Sequence, residues 1–163
     1  SYSPIPGAIL LIIFFIYGFK TQKNLIFVSF FFLILNFALT DITSSKGFKD
    51  NIKRLRPMHE PKIMNLVYTG GIGRGGGKYG FVSSHATNTF GLAMFIFLLF
   101  KRKTKKFGWL FIFAALVSYS RIYLGKHYPL DIICGAVLGI LISLIVFSFY
   151  RWISRQLSLN LQL

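Results

Sequence analysis

Five apolar runs order the chain: Ile5 to Phe19, Leu25 to Leu39, Phe81 to Phe100, Phe107 to Leu124 and Pro129 to Tyr150. Each predicts a helix, because lipid offers no water to unpaired backbone groups and spans of about 17 to 25 residues match the hydrocarbon thickness. The first two runs are short, so their ends are the least defined. Polar residues collect between the runs. One connection, "SRIYLGKHYPLD" from Ser120 to Asp131, carries Arg121, Lys126, His127 and Asp131. Burying any of these groups unpaired is costly, so their concentration calls for a chemical explanation.

Composition strengthens the membrane reading: 54% of residues are hydrophobic, only 14% are charged, and the mean hydropathy is positive. That balance is far from a soluble domain's. No composition break, low-complexity tract or internal repeat divides the 163 residues, so a single domain over 1–163 is expected. Cys134 lies in an apolar run and has no second cysteine to pair with, which suits a small packing residue. No charged leader and small-residue cleavage site frame the first run. The chain opens on Ser1 rather than Met, so a processed or truncated product, with an N-terminal helix missing, is one expectation.

The net charge of +15 then has to be placed. Threading the five spans alternately puts nine basic residues on one side, with no acid, and the run "KRKTKK" (Lys101 to Lys106) at their centre. Ten fall on the other side, mixed with Asp41, Asp50, Glu60, Asp131 and all three histidines. Nine against ten fixes no orientation by the positive-inside rule. The first side suits anchoring on anionic headgroups, and the second has the make-up of a site.

Four stretches on that second side carry chemistry. "KDNIKRLRP" sets Lys49, Lys53 and Arg56 at i, i+4 and i+7, which predicts one face of a helix that ends before Pro57. "TGGIGRGGGKYG", Thr69 to Gly80, is too rich in glycine to span and lacks the ending of a nucleotide P-loop, so a flexible rim or lid is expected. "FVSSHATNTF" opens a helix with Ser83, Ser84 and His85, where hydroxyls cap well and free N–H groups attract anions. In the fourth, Pro129 suits the first turn of the last span. His127 and Asp131 are four apart, so that the carboxylate could hold one imidazole nitrogen protonated and leave the other as base or nucleophile.

Taken together, Lys49, six residues and Arg56–Pro57; Ser83 and His85; and Ser120–Arg121, five residues, His127, three residues and Asp131 resemble the motifs of the type 2 phosphatidic acid phosphatase family. The likeness runs from about Phe30 to Tyr150, with Val82 and Ser84 standing where that family has Pro and Gly. The resemblance implies an all-α, polytopic bundle of six transmembrane helices, of which these five would lack the first, in the cell membrane with its site on the extracytoplasmic side. It implies hydrolysis of a membrane lipid phosphate through a phosphohistidine, with no metal or other cofactor. His127 would attack phosphorus, Asp131 would orient its ring, and His85 would protonate the leaving oxygen and then activate water. Lys49, Arg56 and Arg121 would hold the phosphate oxygens, joined by backbone N–H groups near Ser83 and Ser84.

Other readings of the same residues fit less of the chain. A serine hydrolase using Ser84, His127 and Asp131 lacks the GxSxG elbow and leaves the three cations without a task. A metal site of His59, His85 and His127 has no HExxH motif or carboxylate cluster beside it. A non-enzymatic cationic membrane protein that binds or transports an anionic lipid does not require His127 and Asp131 beside Arg121. Nucleic acid is not an expected partner, because spans split the cations into two groups. The expected partners are the bilayer and a lipid phosphate, with a bacterial carrier or glycolipid phosphate preferred for so small a chain. The pattern does not fix an oligomeric state.

Overall fold

The computed structural model describes residues 5–22, 25–70 and 77–160, with side-chain environments for 12–20, 25–70 and 77–157. Long helices occupy all five apolar runs: α1 (Ile5–Gln22), α2 (Ile26–Ile42), α4 (Ser84–Phe100), α5 (Trp109–Tyr123) and α6 (Pro129–Asn160). Between α2 and α4 the chain passes through a π-helical stretch, Thr43–Lys49, a single short turn α3 (Asp50–Ile52) and a 3₁₀ turn, Pro57–His59. By length and composition, Ile26–Ile52 and Pro129–Leu157 are long and apolar enough to cross a membrane. At about 1.5 Å per residue, the 17-residue α4 is some 25 Å long, close to the hydrocarbon thickness. The architecture is an all-α membrane bundle.

Burial follows membrane logic. Large apolar side chains point outward, with Phe31 at 61%, Ile112 at 66% and Phe149 at 61% exposure, while Ser29, Asn36, Thr40, Thr87 and Ser143 are buried. Helices in lipid gain little by burying leucine against leucine, so small residues and hydrogen bonds make their contacts. Ser143 Oγ lies 2.7 Å from the Gly91 carbonyl and 2.8 Å from Asn36 Oδ1, joining α6 to α4 and α2. Ser29 Oγ lies 2.9 Å from the Tyr150 hydroxyl, joining α2 to α6 lower down.

The α4–α6 contact is the tightest. Gly135 and Gly139 repeat at the four-residue spacing of small-residue interfaces. A Cβ on Gly139 would run into the Thr87 carbonyl, and one on Gly135 would lie 2.8 Å from the Ser83 carbonyl. Going along both helices, Ser83 and Thr87 meet Gly135 and Gly139, and Phe95 meets Phe147 and Tyr150. The two helices are therefore parallel, and α5 is the return between them. This parallel register brings both helix N-termini to the same end of the bundle, where the Ser83 N–H donates to the Asp131 carbonyl at 3.1 Å. Phe100 and Phe107 stack at 4.9 Å at the other end, beside the Lys101–Lys106 run.

Candidate active site

At the head of α6, Pro129 takes the first helical position, where a missing N–H costs nothing. Asp131 is fully buried two residues on. Its Oδ2 accepts the Tyr128 N–H at 2.9 Å, and its Oδ1 takes Arg54 Nη1 at 2.9 Å. His127 is just outside the helix and 3% exposed, with Nδ1 3.7 Å from Asp131 Oδ2. That separation is an ion-pair distance and too long for a hydrogen bond. The backbone behind it hangs on α5: the N–H groups of Lys126 and His127 both point to the Arg121 carbonyl, at 3.0 and 3.3 Å. Gly125 makes the turn with φ +62°, a conformation that suits glycine, and Val67 fills the space a side chain would need.

Burial pushes the His127 pKa below the ordinary histidine value. Asp131 opposes the shift, and the charges of Arg56 and Lys49 add to it. The ring is thus neutral near pH 7, with Nδ1 turned to the carboxylate. Arg56 comes to the same place from a different segment, its Nε donating to the Tyr79 carbonyl at 3.1 Å. Gly80 lies between them: a Cβ there would stand 3.1 Å from Arg56 Cγ, 3.3 Å from Asp131 Oδ2 and 3.5 Å from His127 Nδ1.

The head of α4 supplies the other half. Ser83 is the N-cap, with Oγ 3.4 Å from the Ala86 N–H. Ser84 opens the helix, and its Oγ receives Lys49 Nζ at 2.6 Å and Ser44 Oγ at 2.9 Å. The π-helical stretch that carries Ser44 and Lys49 brings both to α4, a use of such turns that recurs at functional sites. His85 is exposed beside them, within electrostatic reach of Arg121, His127, Lys49 and Lys126. Arg121 is 9% exposed in the last turn of α5, where Nε donates to Ser120 Oγ at 3.1 Å.

The residues singled out from sequence thus converge at one end of the bundle, with one correction to how they get there. Lys49, Lys53 and Arg56 do not share a helix face. The helix stops at Ile52, Lys53 turns left-handed at φ +52°, and Arg56 is extended ahead of Pro57. That kink lets Leu55 pair with Tyr79 in an isolated antiparallel bridge and sends Arg54, which sequence reasoning passed over, to Asp131. Gly80 was also missed, its signal being only its place at the end of a glycine run. Half of the rim expected over Thr69–Gly80, residues 71–76, lies outside the described residues. Ser84, in place of the glycine of the resembled motif, sits at a helical position and needs no special torsion. The alternative grouping of His59, His85 and His127 is not assembled: among the described residues no three His, Cys, Asp or Glu side chains cluster as a metal would require.

Comparison with known proteins decides the family. The profile of the PAP2 superfamily matches residues 27–155. The chain belongs to the PAP2 superfamily. Among relatives, lipid A 4'-phosphatase of Porphyromonas gingivalis is 36% identical over 150 residues, covering 88% of this chain and 62% of the relative. The enzyme of the same name from Bacteroides thetaiotaomicron is 41% identical over 112 residues, covering 66% and 47%. An undecaprenyl-diphosphatase of Bacillus subtilis is 41% identical over 70 residues, covering 42% and 34%. This PAP2 chain therefore spans about half to three-fifths of the length of the first two relatives. No solved structure gives a significant match.

Proposed function

We propose that this chain is a single-domain membrane lipid phosphate phosphatase that works through a phosphohistidine on His127, with its site on the extracytoplasmic side. The observation that carries the reading is the meeting of Lys49, Ser84, Arg56, His127 and Asp131, drawn from four segments, at the shared N-terminal end of α4 and α6. Four of the five are ionisable side chains that a bare helix bundle has no need to collect, and a phosphate dianion complements the charge of the two cations.

In this mechanism Nδ1 of His127 faces Asp131, so Nε2 attacks phosphorus. The bond to the lipid oxygen breaks and His85 gives that oxygen its proton. Partial burial and the charges of Arg121, Lys49 and Lys126 lower the His85 pKa to about 4, and the bound phosphate dianion offsets those charges so that the ring can carry the proton. His85 then takes a proton from water, which cleaves the N–P bond and releases inorganic phosphate. Such proton transfer contributes about 10² to 10⁴ in rate. Lys49, Arg56 and Arg121 hold the equatorial oxygens of the loose transition state, and the first N–H groups of α4 add donors. Cationic donors bound to phosphate act most strongly in a site sheltered from water.

A lipid A-type glycolipid phosphate is the preferred substrate, because the two relatives that cover most of this chain carry that name. An apolar cavity of about 520 Å³, lined by Phe14, Leu33, Phe37, Thr89 and Ile96 among others, suits an acyl chain. It begins one turn beyond His85, whose carbonyl accepts the Thr89 hydroxyl at 2.7 Å. The test is phosphate release by the detergent-purified full chain from lipid A, undecaprenyl diphosphate, phosphatidic acid and phosphatidylglycerol phosphate, with and without chelator and vanadate. Release from lipid A that resists chelator and is blocked by vanadate is expected. Absence of release from all four lipids would reject the reading.

A further inference from the structure

Arg54 has no part in the mechanism above, yet it makes a close ion pair with Asp131. Its Nη1 stands 2.9 Å from Oδ1 of the fully buried Asp131, while the guanidinium lies 4.3 Å above the Tyr128 ring and the side chain as a whole is 37% exposed. The left-handed turn at Lys53 aims it, and the Gly80 N–H bound to the Arg54 carbonyl at 2.9 Å fixes its backbone. Asp131 thus has both oxygens engaged, one by Arg54 and one by the Tyr128 N–H, before His127 Nδ1 arrives at 3.7 Å.

We infer that Arg54 is a positioning residue: it shares Asp131 with His127, fixing the carboxylate while limiting how strongly that carboxylate draws a proton onto the imidazole. The inference rests on the reading of His127 as nucleophile and deepens it. A carboxylate left wholly to His127 would favour the charged ring, which cannot attack, and one left unheld would not orient the ring at all. A fork-shaped cation bound to the opposite oxygen meets both needs. The groups that face His127 from the packed elements are Asp131 on α6, Arg56 and Lys49 from the segment after α2, and His85 on α4. Asp131 is the anion among them, so a cation paired to it acts on the ring through it.

The experiment compares the full chain with Arg54→Gln and Arg54→Lys in detergent, by ¹⁵N-histidine NMR titration of His127 and by kcat and KM for lipid A phosphate across pH. Gln loses the charge and keeps an N–H donor on a shorter side chain, and Lys keeps the charge without the fork. In Arg54→Gln the His127 titration should move to higher pH, and kcat should fall about tenfold with KM little changed, the low end of what a proton-transfer group contributes. Arg54→Lys should keep the parental titration. An unmoved titration in Arg54→Gln overturns the inference. So does a raised KM at unchanged kcat, which would make Arg54 a plain phosphate ligand, or a loss explained by lowered thermal stability alone. The NMR arm needs no substrate: if it behaves as expected while no lipid is hydrolysed, the positioning role stands and the proposed activity falls.

Discussion

The hydroxyl of Ser84 carries more weight than its place in the sequence suggests. A hydroxyl offers two acceptor positions and one proton, and here Lys49 and Ser44 take the acceptor side. Lys49, an otherwise flexible chain, is thereby held at the head of α4, where the proposed mechanism places the phosphate. Ser84→Ala should lower kcat/KM about tenfold, the typical worth of a hydrogen bond to a charged group, with thermal stability close to the parent's. Steady-state kinetics beside a thermal melt check it. In the proposed mechanism His127 sets the acid limit of turnover. Attack requires the neutral ring, and burial lowers its pKa, so the neutral form persists to lower pH than an unperturbed histidine allows. The rising limb of kcat/KM should therefore fall on the acid side of the ordinary histidine range, and a limb on its alkaline side would show that Asp131 outweighs burial.

Helices and turns differ in how plainly the chain announces them. The five long helices were legible because lipid demands apolar runs of minimum length, and α4 and α6 begin within a few residues of where Phe81 and Pro129 pointed. The Lys49–Arg56 segment was misread because its polar residues satisfy helical spacing as well as they satisfy a kink. The residue that turns left-handed is Lys53, where no glycine or asparagine marks the place. The parallel seam of α4 and α6 is the element on which the site depends. Adding one methyl group at Gly139, against the Thr87 carbonyl, should force the helices apart. Gly139→Ala is expected to cost about 1–3 kcal/mol, as overpacking does, and to reduce activity beyond the loss of folded protein, because the same shift moves His85 away from Asp131. A melt and active-site-normalised rates separate the two effects.

For the molecule as a whole, the candidate residues were more readable than their assembly. His127, Asp131, His85, Lys49, Arg56 and Arg121 stood out by type and spacing. The Arg54–Asp131 pair joins positions 77 apart and depends on a loop path that no local pattern encodes. The charge distribution also makes a testable statement about sidedness. With the Lys101–Lys106 run at the far end from His127, cysteines placed at residue 78 and at residue 103 in a Cys134→Ser background should label from opposite faces. An impermeant reagent on intact cells is expected to reach 78 and not 103, and the reverse pattern would turn the protein over. The central claim is that phosphate passes through His127, and the most direct measurement traps it there. In His85→Ala, an aryl phosphate needs little protonation to leave, so the first step proceeds while hydrolysis stalls. Quenching without acid after mixing with ³²P-labelled substrate should then give a base-stable, acid-labile phosphoenzyme that maps to His127 and is absent from the His127→Ala, His85→Ala double variant. Label that is acid-stable and maps to Ser84, or that persists without His127, would contradict the account.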